Sequence, residues 1–187
     1  QVGVNDTAEV ITNHVRRLVP FTQSLMFVYN AATDELEATH ATGEASASLK
    51  GLRIPLGQRI SGWVAVNRQT ALNSDPTLDL GDAARSLTPR LKSSLCTPVV
   101  HLNELIGVLS LYSPGSAAYD EHDKRVIELV AQHIGHTFKS AIAFDDAQRR
   151  DVPGDVVGDV ELALGNRRVQ GLVDDALHVP PGLLPPP

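Results

Sequence analysis

The sequence predicts an α+β fold in which β-hairpins form a sheet that is flanked by helices. Residues 24–42 contain two short strand-like runs separated by a turn-forming segment. Residues 94–100 and 105–112 form a second pair, joined by a short turn. A long helical pattern covers residues 120–148. Because the strands come in hairpins and do not alternate with helices, a doubly wound parallel sheet is not expected.

The chain opens with an amphipathic helix over residues 6–19. Ile11, Val15 and Leu18 recur at helical spacing, and Pro20 ends the pattern. We expect this helix to pack through that apolar stripe.

The middle of the chain predicts shorter elements. Residues 52–56 read as a brief strand interrupted by Pro55, and residues 58–67 read as a short helix. Residues 77–92 have helix signals but little apolar area, so we expect a mobile helix or loop there. Pro98 cannot donate to a sheet ladder and therefore predicts a strand edge or a bulge.

The long helix begins with Asp120 and Asp123, which are spaced as in a capping box. One of its faces has apolar and small residues at alternating three- and four-residue steps. These residues are Ile127, Val130, Ile134, Thr137, Ala141 and Phe144. We expect this seam to form a homodimer through helices 6–19 and 120–148. The alternative is that the seam packs only on its own sheet.

Composition excludes several classes of protein. The chain has 187 residues and a formal net charge of −6 without a long basic block, which argues against a nucleic-acid-binding surface. Its single cysteine, Cys96, excludes an internal disulfide and an all-cysteine zinc site. No apolar run approaches the roughly 20 residues of a membrane span. We therefore expect a reduced, cytoplasmic setting. Because Gln1 stands where an initiator methionine would, we expect a piece of a longer protein.

An ordered set of motifs runs through the second and third quarters of the chain. The motifs are Leu56-Gly57, Ile60, Gly62-Trp63-Val64, Ser74-Asp75-Pro76, Ser94 to Val99, Ile106-Gly107-Val108-Leu109, and Tyr119 with Asp123. With them, the stretch from Leu56 to Ile142 resembles the GAF domain family. The resemblance implies an antiparallel sheet with the two long helices on one face. It also implies short helices and loops, from residues 57–92, that cover a pocket on the other face.

The implied pocket supplies the candidate ligand-binding residues. They are Trp63, Asp75, Arg85, Arg90 and Cys96. Trp63 is expected to fill the space between the sheet and the covering segment, either beside a ligand or as core packing alone. Arg85 and Arg90 are expected either to bind an anion or to remain solvated. Cys96, in a strand pattern, favours a small buried residue over a nucleophile.

Three GAF subfamilies do not fit these residues. Those that bind cyclic nucleotides often carry an asparagine-lysine pair where this chain has Ser113 and Pro114. Those that attach bilin use a cysteine followed by histidine, whereas Cys96 is followed by Thr97. Those that reduce methionine sulfoxide need at least two cysteines. The ligand and any cofactor therefore stay unknown.

Residues 159–177 resemble the opening of a GGDEF (diguanylate cyclase) domain. The matching residues are Asp159, Leu164, Asn166, Arg167 and Arg168. Glu161 and Leu162 depart from that opening, and no Gly-Gly-Asp-Glu-Phe sequence is present. The alternative is a chance match within a polar tail. We therefore divide the chain into a GAF domain, residues 1–149, and a tail, residues 150–187.

The remaining motifs do not indicate an enzyme. His133 and His136 have metal-ligand spacing on one helix, but no cysteine or carboxylate completes the set nearby, so we expect no metal. No paired nucleophile and base can be argued, so we expect no catalytic residues. The function expected is a small-molecule-sensing regulatory domain of a bacterial signalling protein, linked to diguanylate cyclase output and acting through ligand-biased helix or dimer rearrangement. A structural dimerisation module without a ligand is the alternative, and a small-molecule enzyme is a third.

Overall fold

The computed structural model, which describes residues 4–149, has one six-stranded sheet in the order β3-β2-β1-β6-β5-β4. The strands are β1 Gln23–Asn30, β2 Glu35–Thr42, β3 Arg53–Pro55, β4 Ala71–Ser74, β5 Ser93–His101 and β6 Glu104–Ser113. The helices are α1 Val4–Leu18, α2 Ser46–Leu49, α3 Arg59–Asn67, α4 Thr77–Leu80, α5 Asp82–Ser86 and α6 Glu121–Arg149. Every neighbouring pair of strands is antiparallel, which confirms the predicted α+β class.

Both predicted hairpins form, as β1–β2 and β5–β6. The β5–β6 turn places Leu102 and Asn103 at φ 48° and 65°. Two consecutive left-handed residues match the twist of an antiparallel pair, which is why a two-residue connection suffices. In the middle of β6, Gly107 lies directly against the Phe27 carbonyl of β1, where a Cβ would overlap the oxygen. The glycine of the Ile106–Leu109 motif thus allows the two central strands to approach.

Strand β4 is missing from the sequence prediction, which has five strands. It is only four residues long, all four residues are half-buried, and Asn73 within it has φ 55°. Its sequence therefore shows neither the alternation of apolar and polar residues nor the continuous apolar run by which strands are predicted. It pairs with β5 only as far as Cys96. Pro98 lies beyond this point, next to a register shift in the β5–β6 pairing. In the described part of the chain no strand pairs with β5 there on the β4 side, and the prediction for Pro98 is confirmed.

Helices α1 and α6 pack side by side on one face of the sheet, as predicted. The core on this face joins residues of α1 and α6 to residues of β1, β5 and β6. It includes Ile11, Val15, Met26, Leu95, Leu109, Leu111, Val126, Ile127, Val130 and Ala131. Asp120 and Asp123 each accept a hydrogen bond from the other's backbone N–H, at 2.9 and 3.0 Å, which confirms the capping box.

Part of the predicted dimer seam is buried inside the monomer. Ile127, Val130 and Thr137 of α6 are buried, and Ile11 and Val15 of α1 are buried with them. Leu18, expected on the same stripe, is instead exposed. Among the described residues, the sheet of the same chain therefore covers these parts of the stripe, and the homodimer stays a prediction. The side chains of Ile134, Ala141 and Phe144 are not among those that the structure describes. The tail, residues 150–187, also lies outside the described residues, so its resemblance to a GGDEF domain is not tested by the structure.

Helices α2 to α5 cover the opposite face of the sheet. Their apolar residues pack on the sheet in a second core, which includes Leu25, Phe27, Ile54, Val64, Ala65, Leu80, Ala84, Leu91, Val108 and Tyr112. Residues 77–92, predicted as a helix or loop, contain α4 and α5. We call residues 57–92 the lid segment. Within residues 4–149, no helix has the length and apolar character needed to cross a membrane.

Candidate functional site

Helix α3 lies so close to the end of β3 that only glycine fits at position 62. A Cβ there would lie 2.6 Å from the Pro55 carbonyl oxygen and 3.2 Å from the Gly57 nitrogen. Gly57 itself has φ 79° and donates its N–H to the Gly62 carbonyl at 3.0 Å. The glycines around Trp63 therefore serve the approach of α3 to β3, as their spacing indicates.

Trp63 does not fill the space between the sheet and the lid segment, and this part of the prediction is wrong. Its side chain is 42% exposed. The inward face of α3 is formed by small or branched residues, which are Ser61, Gly62, Val64 and Ala65. Trp63 lies on the other side of the helix from this buried group, since successive helical residues turn by about 100°.

The centre of the space beneath the lid segment is occupied by a carboxyl group. Asp79 of α4 is 1% exposed. Its Oδ1 accepts the backbone N–H groups of Ile60 and Ser61, at 3.1 and 2.9 Å. Its Oδ2 accepts the Ser61 hydroxyl at 2.7 Å and the Tyr112 hydroxyl at 3.0 Å. Asp79 thus joins α4, the first turn of α3 and the central strand β6.

Asp79 acts as the missing N-cap of α3. The residue that precedes the helix, Gln58, makes no side-chain capping hydrogen bond. The amide groups of the first helical turn need acceptors, and the partial positive charge at this end favours a carboxyl group. Asp79 supplies the acceptor and the carboxyl group, although it lies 19 residues after Ile60 and 18 residues after Ser61 in the chain. The Arg59 guanidinium strengthens the junction by donating to the Asp79 carbonyl oxygen at 2.6 Å.

Polar side chains of the sheet complete what we call the Asp79 cluster, formed by Asp79, Ser61, Cys96, Ser110 and Tyr112. The Ser61 and Ser110 hydroxyl oxygens are 2.9 Å apart, and the Cys96 thiol lies 3.8 Å from Asp79 Oδ2. Burial, and then the charge of Asp79, raise the pKa of the Cys96 thiol. The same two causes raise the pKa of the Tyr112 hydroxyl. Both groups therefore remain protonated donors at neutral pH, and Cys96 is not poised to act as a thiolate.

An open groove of about 390 Å³ lies on the outer side of α3, against the edge of the sheet. We call it the Trp63 groove. Its lining residues come from the turn before α3, from α3 itself and from the segment that contains β4. They are Gly57, Arg59, Ile60, Trp63, Thr70, Ala71 and Ser74. The volume falls within the range of about 300–1,000 Å³ that small-molecule sites occupy.

The other candidates from the lid segment lie elsewhere. Asp75 accepts the backbone N–H and the hydroxyl of Thr77, at 2.9 and 2.8 Å, and so begins α4. The hydrogen bond from the Thr77 backbone, followed by the one from the Thr77 hydroxyl, lowers the pKa of Asp75. The positive charges of Arg90 and Arg85 lower it further. Arg85 forms an exposed ion pair with Asp82 at 3.3 Å, and Arg90 is exposed. Asp75, Arg85 and Arg90 thus share a solvated surface of the lid segment.

Of the predicted site residues, the Trp63 groove contains Trp63 alone. Cys96 belongs to the buried Asp79 cluster. Sequence reasoning missed Asp79 and Arg59. The local pattern gives no signal for Asp79, because its neighbour Leu78 is exposed and α4 is only four residues long. No group of three or more metal-binding side chains is present among the described residues, which leave out the side chains of His133 and His136.

The chain is similar in structure to several solved proteins. The GAF domain of an Acinetobacter phosphoenolpyruvate-protein phosphotransferase matches with a TM-score of 0.64 and 14% identity, over 78% of this chain and 88% of the other. Free methionine-R-sulfoxide reductase from Neisseria meningitidis, solved with its substrate, matches with a TM-score of 0.57 and 18% identity, over 75% and 81%. The GAF-B domain of DevS from Mycobacterium smegmatis matches with a TM-score of 0.56 and 20% identity, over 79% and 100%.

At these identities the structural matches show the fold alone. A comparison with curated proteins finds no match. The comparison with family models matches residues 1–139 to the family described as the GAF domain. This match covers most of the chain and agrees with the six-stranded antiparallel sheet and its two helical layers. The chain therefore belongs to the GAF domain family, whose members are commonly sensory and regulatory domains of signalling proteins.

Proposed function

We propose that this chain is a small-molecule-sensing regulatory GAF domain and that its ligand binds in the Trp63 groove. The observation that carries the proposal is the exposure of the only tryptophan in the chain on the side of a groove of ligand size. Large aromatic rings left exposed beside a cavity supply contact area at little conformational cost. The Arg59 guanidinium adds a charged donor to the same groove.

The chemistry of the groove favours a ligand with a flat apolar part and an anionic or carbonyl group. The indole ring of Trp63 would stack on the flat part. Arg59 would bind the acceptor with the guanidinium N–H groups that its bond to the Asp79 carbonyl leaves available. The substrate-bound reductase supports a ligand-binding role by likeness of fold only.

A ligand in this groove would act on the junction between α3 and α4. Arg59 lines the groove and also donates to the Asp79 carbonyl, and the next two residues donate their amides to the Asp79 side chain. A ligand that pulled Arg59 outward would weaken this junction, and one that fixed it would strengthen the packing of the lid segment on the sheet. We propose that this change is passed on as a shift of the helices.

The environment of Cys96 does not favour the alternative that this chain is an enzyme. Cys96 is fully buried and its thiol pKa is raised, so it presents no accessible thiolate. The Asp79 carboxyl group accepts hydrogen bonds from donors of its own chain and does not line the Trp63 groove. We therefore propose regulation and not catalysis.

Native mass spectrometry of freshly purified chain tests the proposal by looking for a retained small molecule. The variant is Trp63→Ala, and the matched control is Val66→Ala, since Val66 is also exposed on α3 but does not line the groove. We expect a retained mass, and a change in tryptophan fluorescence on its removal, in wild type. The mass should persist in Val66→Ala and disappear in Trp63→Ala. Equal retention by both variants would place the ligand outside this groove.

A structural dimerisation module is the second candidate. It is favoured by the exposure of Leu18 on α1 and Leu129 on α6, and by the length of α6, whose 29 residues span about 44 Å at about 1.5 Å per residue. We propose that any homodimer forms through these two helices. Sedimentation velocity at tens of micromolar should then show a dimer that Leu129→Glu converts to a folded monomer. A monomeric wild type would remove this candidate.

We also propose a cyclic-dinucleotide output for the signalling protein, on the resemblance of residues 159–177 to the start of a GGDEF domain. Because this chain has no Gly-Gly-Asp-Glu-Phe sequence, we expect it to make no cyclic dinucleotide from GTP. Product above a no-enzyme control, measured by chromatography, would contradict this assignment of the tail.

A further inference from the structure

A second groove, of about 410 Å³, lies at the opposite end of α3, between the C-terminal half of β5 and the part of α6 that contains Glu128 and Gln132. We call it the α6 groove. The residues that matter to its chemistry are Arg68, Thr97, Val100, Leu102, Glu128 and Gln132. It shares only Thr70 with the Trp63 groove, so the two are separate sites on either side of the segment that leads into β4.

The sides of the α6 groove are fixed by contacts outside it. Helix α6 approaches β5 at Gly135, where a Cβ would lie 2.6 Å from the Val100 carbonyl oxygen. The β5–β6 turn is tied to α6 by the ion pair between Lys139 and Glu104. Both contacts form without a ligand in the groove. The groove is therefore preformed, as small-molecule sites usually are.

The other side of the groove is fixed as well. Arg68 is the C-terminal cap of α3 in the left-handed conformation, φ 54°, with its N–H bonded to the Val64 carbonyl at 2.9 Å. The hydroxyl groups of Thr70 and Thr97 lie 2.9 Å apart and join the segment after α3 to β5. The backbone that carries Arg68 is thus held in place from both directions.

Two opposite charges line this groove without pairing. Arg68 belongs to the end of α3 and Glu128 belongs to α6. Among the described residues, neither forms an ion pair with the other or with a third side chain. Between them the lining is mixed. The Thr97 hydroxyl, the Gln132 amide and the His101 imidazole are polar, whereas Val100 and Leu102 are apolar.

Leu102 adds an apolar surface that the fold itself does not use. It is 86% exposed, because it occupies the first position of the two-residue β5–β6 turn. Two-residue turns of this type favour asparagine, aspartate or glycine, since both residues are left-handed. A leucine at this position is not explained by the turn, and it borders the groove.

We propose that the α6 groove binds a small zwitterion with an apolar side chain, that is, a free apolar amino acid. The carboxylate of the ligand pairs with the Arg68 guanidinium, which can bind it through two parallel N–H donors. The ammonium group pairs with the Glu128 carboxylate, and the side chain packs on Val100 and Leu102. Such a ligand joins the end of α3 to α6. It therefore links the lid segment to the long helix by a route that does not pass through the Trp63 groove.

The experiment is a titration of the ¹⁵N-labelled full chain, followed by amide chemical shifts. The probes are L-phenylalanine and L-leucine, with 3-phenylpropanoate and 2-phenylethylamine as analogues of phenylalanine that keep one charge each. We expect saturable shifts at Val100, Leu102 and Gln132 with at least one of the amino acids. Because a hydrogen bond to a charged group contributes on the order of a factor of ten or more in affinity, each single-charge analogue should bind at least tenfold more weakly.

Variants of Arg68 and Glu128 test whether these two charges bind the ligand. Arg68→Gln and Glu128→Gln should each weaken binding at least tenfold, whereas Arg125→Gln, an exposed charge change on the same helix outside the groove, should leave it unchanged. Trp63→Ala should also leave it unchanged. Melting temperatures of all four variants establish that each is folded.

Three results would overturn the proposal. One is the absence of saturable shifts with either amino acid at about 10 mM, where a ligand with a Kd of about 1 mM is mostly bound. Another is a preference below tenfold over the single-charge analogues. The third is a set of shifts confined to the Trp63 groove, around Gly57 and Trp63, which would support the proposed function and remove this second site.

Discussion

Removing the Asp79 carboxyl group should destabilise the domain more than any other single change to a lid carboxylate. In Asp79→Ala, the amides of Ile60 and Ser61 and the Tyr112 hydroxyl lose their acceptor, whereas the Ser61 hydroxyl retains Ser110. An unsatisfied buried donor costs about 1–3 kcal/mol, and water that enters the vacated space recovers part of the sum. We therefore expect a loss of about 4 kcal/mol in the free energy of unfolding, at the upper end for single substitutions.

Urea denaturation followed by circular dichroism, with a parallel thermal melt, measures this loss. For a chain of this size about 1 kcal/mol corresponds to about 2–4 °C, so the melting temperature should fall by about 8–16 °C. Asp79→Asn keeps one acceptor oxygen for the α3 amides and should lose about half as much. The control is Asp82→Asn, an exposed carboxylate of α5, which should change stability by no more than about 0.5 kcal/mol.

A double-mutant cycle separates the Tyr112 bond from the rest of the cluster. Tyr112→Phe should be destabilising by about 1–2 kcal/mol in wild type and nearly neutral in the Asp79→Ala background. The reasoning is refuted if Asp79→Ala unfolds within about 1 kcal/mol of wild type, or if the two substitutions are additive. Either result would mean that Asp79 does not hold α3 to the sheet.

Three further changes test other contacts. Gly62→Ala should destabilise the fold by about 1–3 kcal/mol in urea titrations despite the better helix propensity of alanine, because its Cβ would meet the Pro55 carbonyl at 2.6 Å. Gly135→Ala should have a similar cost against the Val100 carbonyl, also 2.6 Å away, and a neutral result for either glycine would disprove the close approach. Burial lowers the pKa of His40, and the charge of Glu9 opposes this shift. The stability that depends on neutral His40 should therefore be fully present above the pKa of about 6.5 in the unfolded chain and decline as pH falls below it. His40→Gln should flatten that part of the stability-versus-pH curve, and an unchanged slope would contradict this.

The layers of the fold were predictable because each has a strong local pattern. The paired strands are continuous or alternating apolar runs, and α1 and α6 have long apolar stripes. What these stripes pack against was not predictable. The seam on α6 has the spacing of an intermolecular interface, yet Ile127 and Val130 are buried by the sheet of the same chain. Spacing alone does not distinguish a neighbouring sheet from a second subunit.

The site was less predictable, because it depends on contacts between residues far apart in the chain. Asp75 was a candidate because it belongs to the Ser74-Asp75-Pro76 motif, but its side chain only begins α4. Asp79 lies in one turn of helix, too short for periodicity to show that it points inward while Leu78 points outward. Trp63 misleads for the opposite reason, since a lone aromatic ring beside glycines is usually buried. Its exposure follows from the close packing of Gly62 on β3.

The dependence of α3 on Asp79 also sets an order for the assembly of the domain. A helix of nine residues without a cap of its own is marginal in water, and its cap lies 18 residues away from Ser61 and 33 residues before Tyr112. The first turn of α3 therefore gains its cap only when α4 is in place, and the Tyr112 hydroxyl of β6 then binds the same carboxyl group. Hydrogen exchange of the Ile60 and Ser61 amides should accordingly report the opening of α4, a helix to which neither residue belongs.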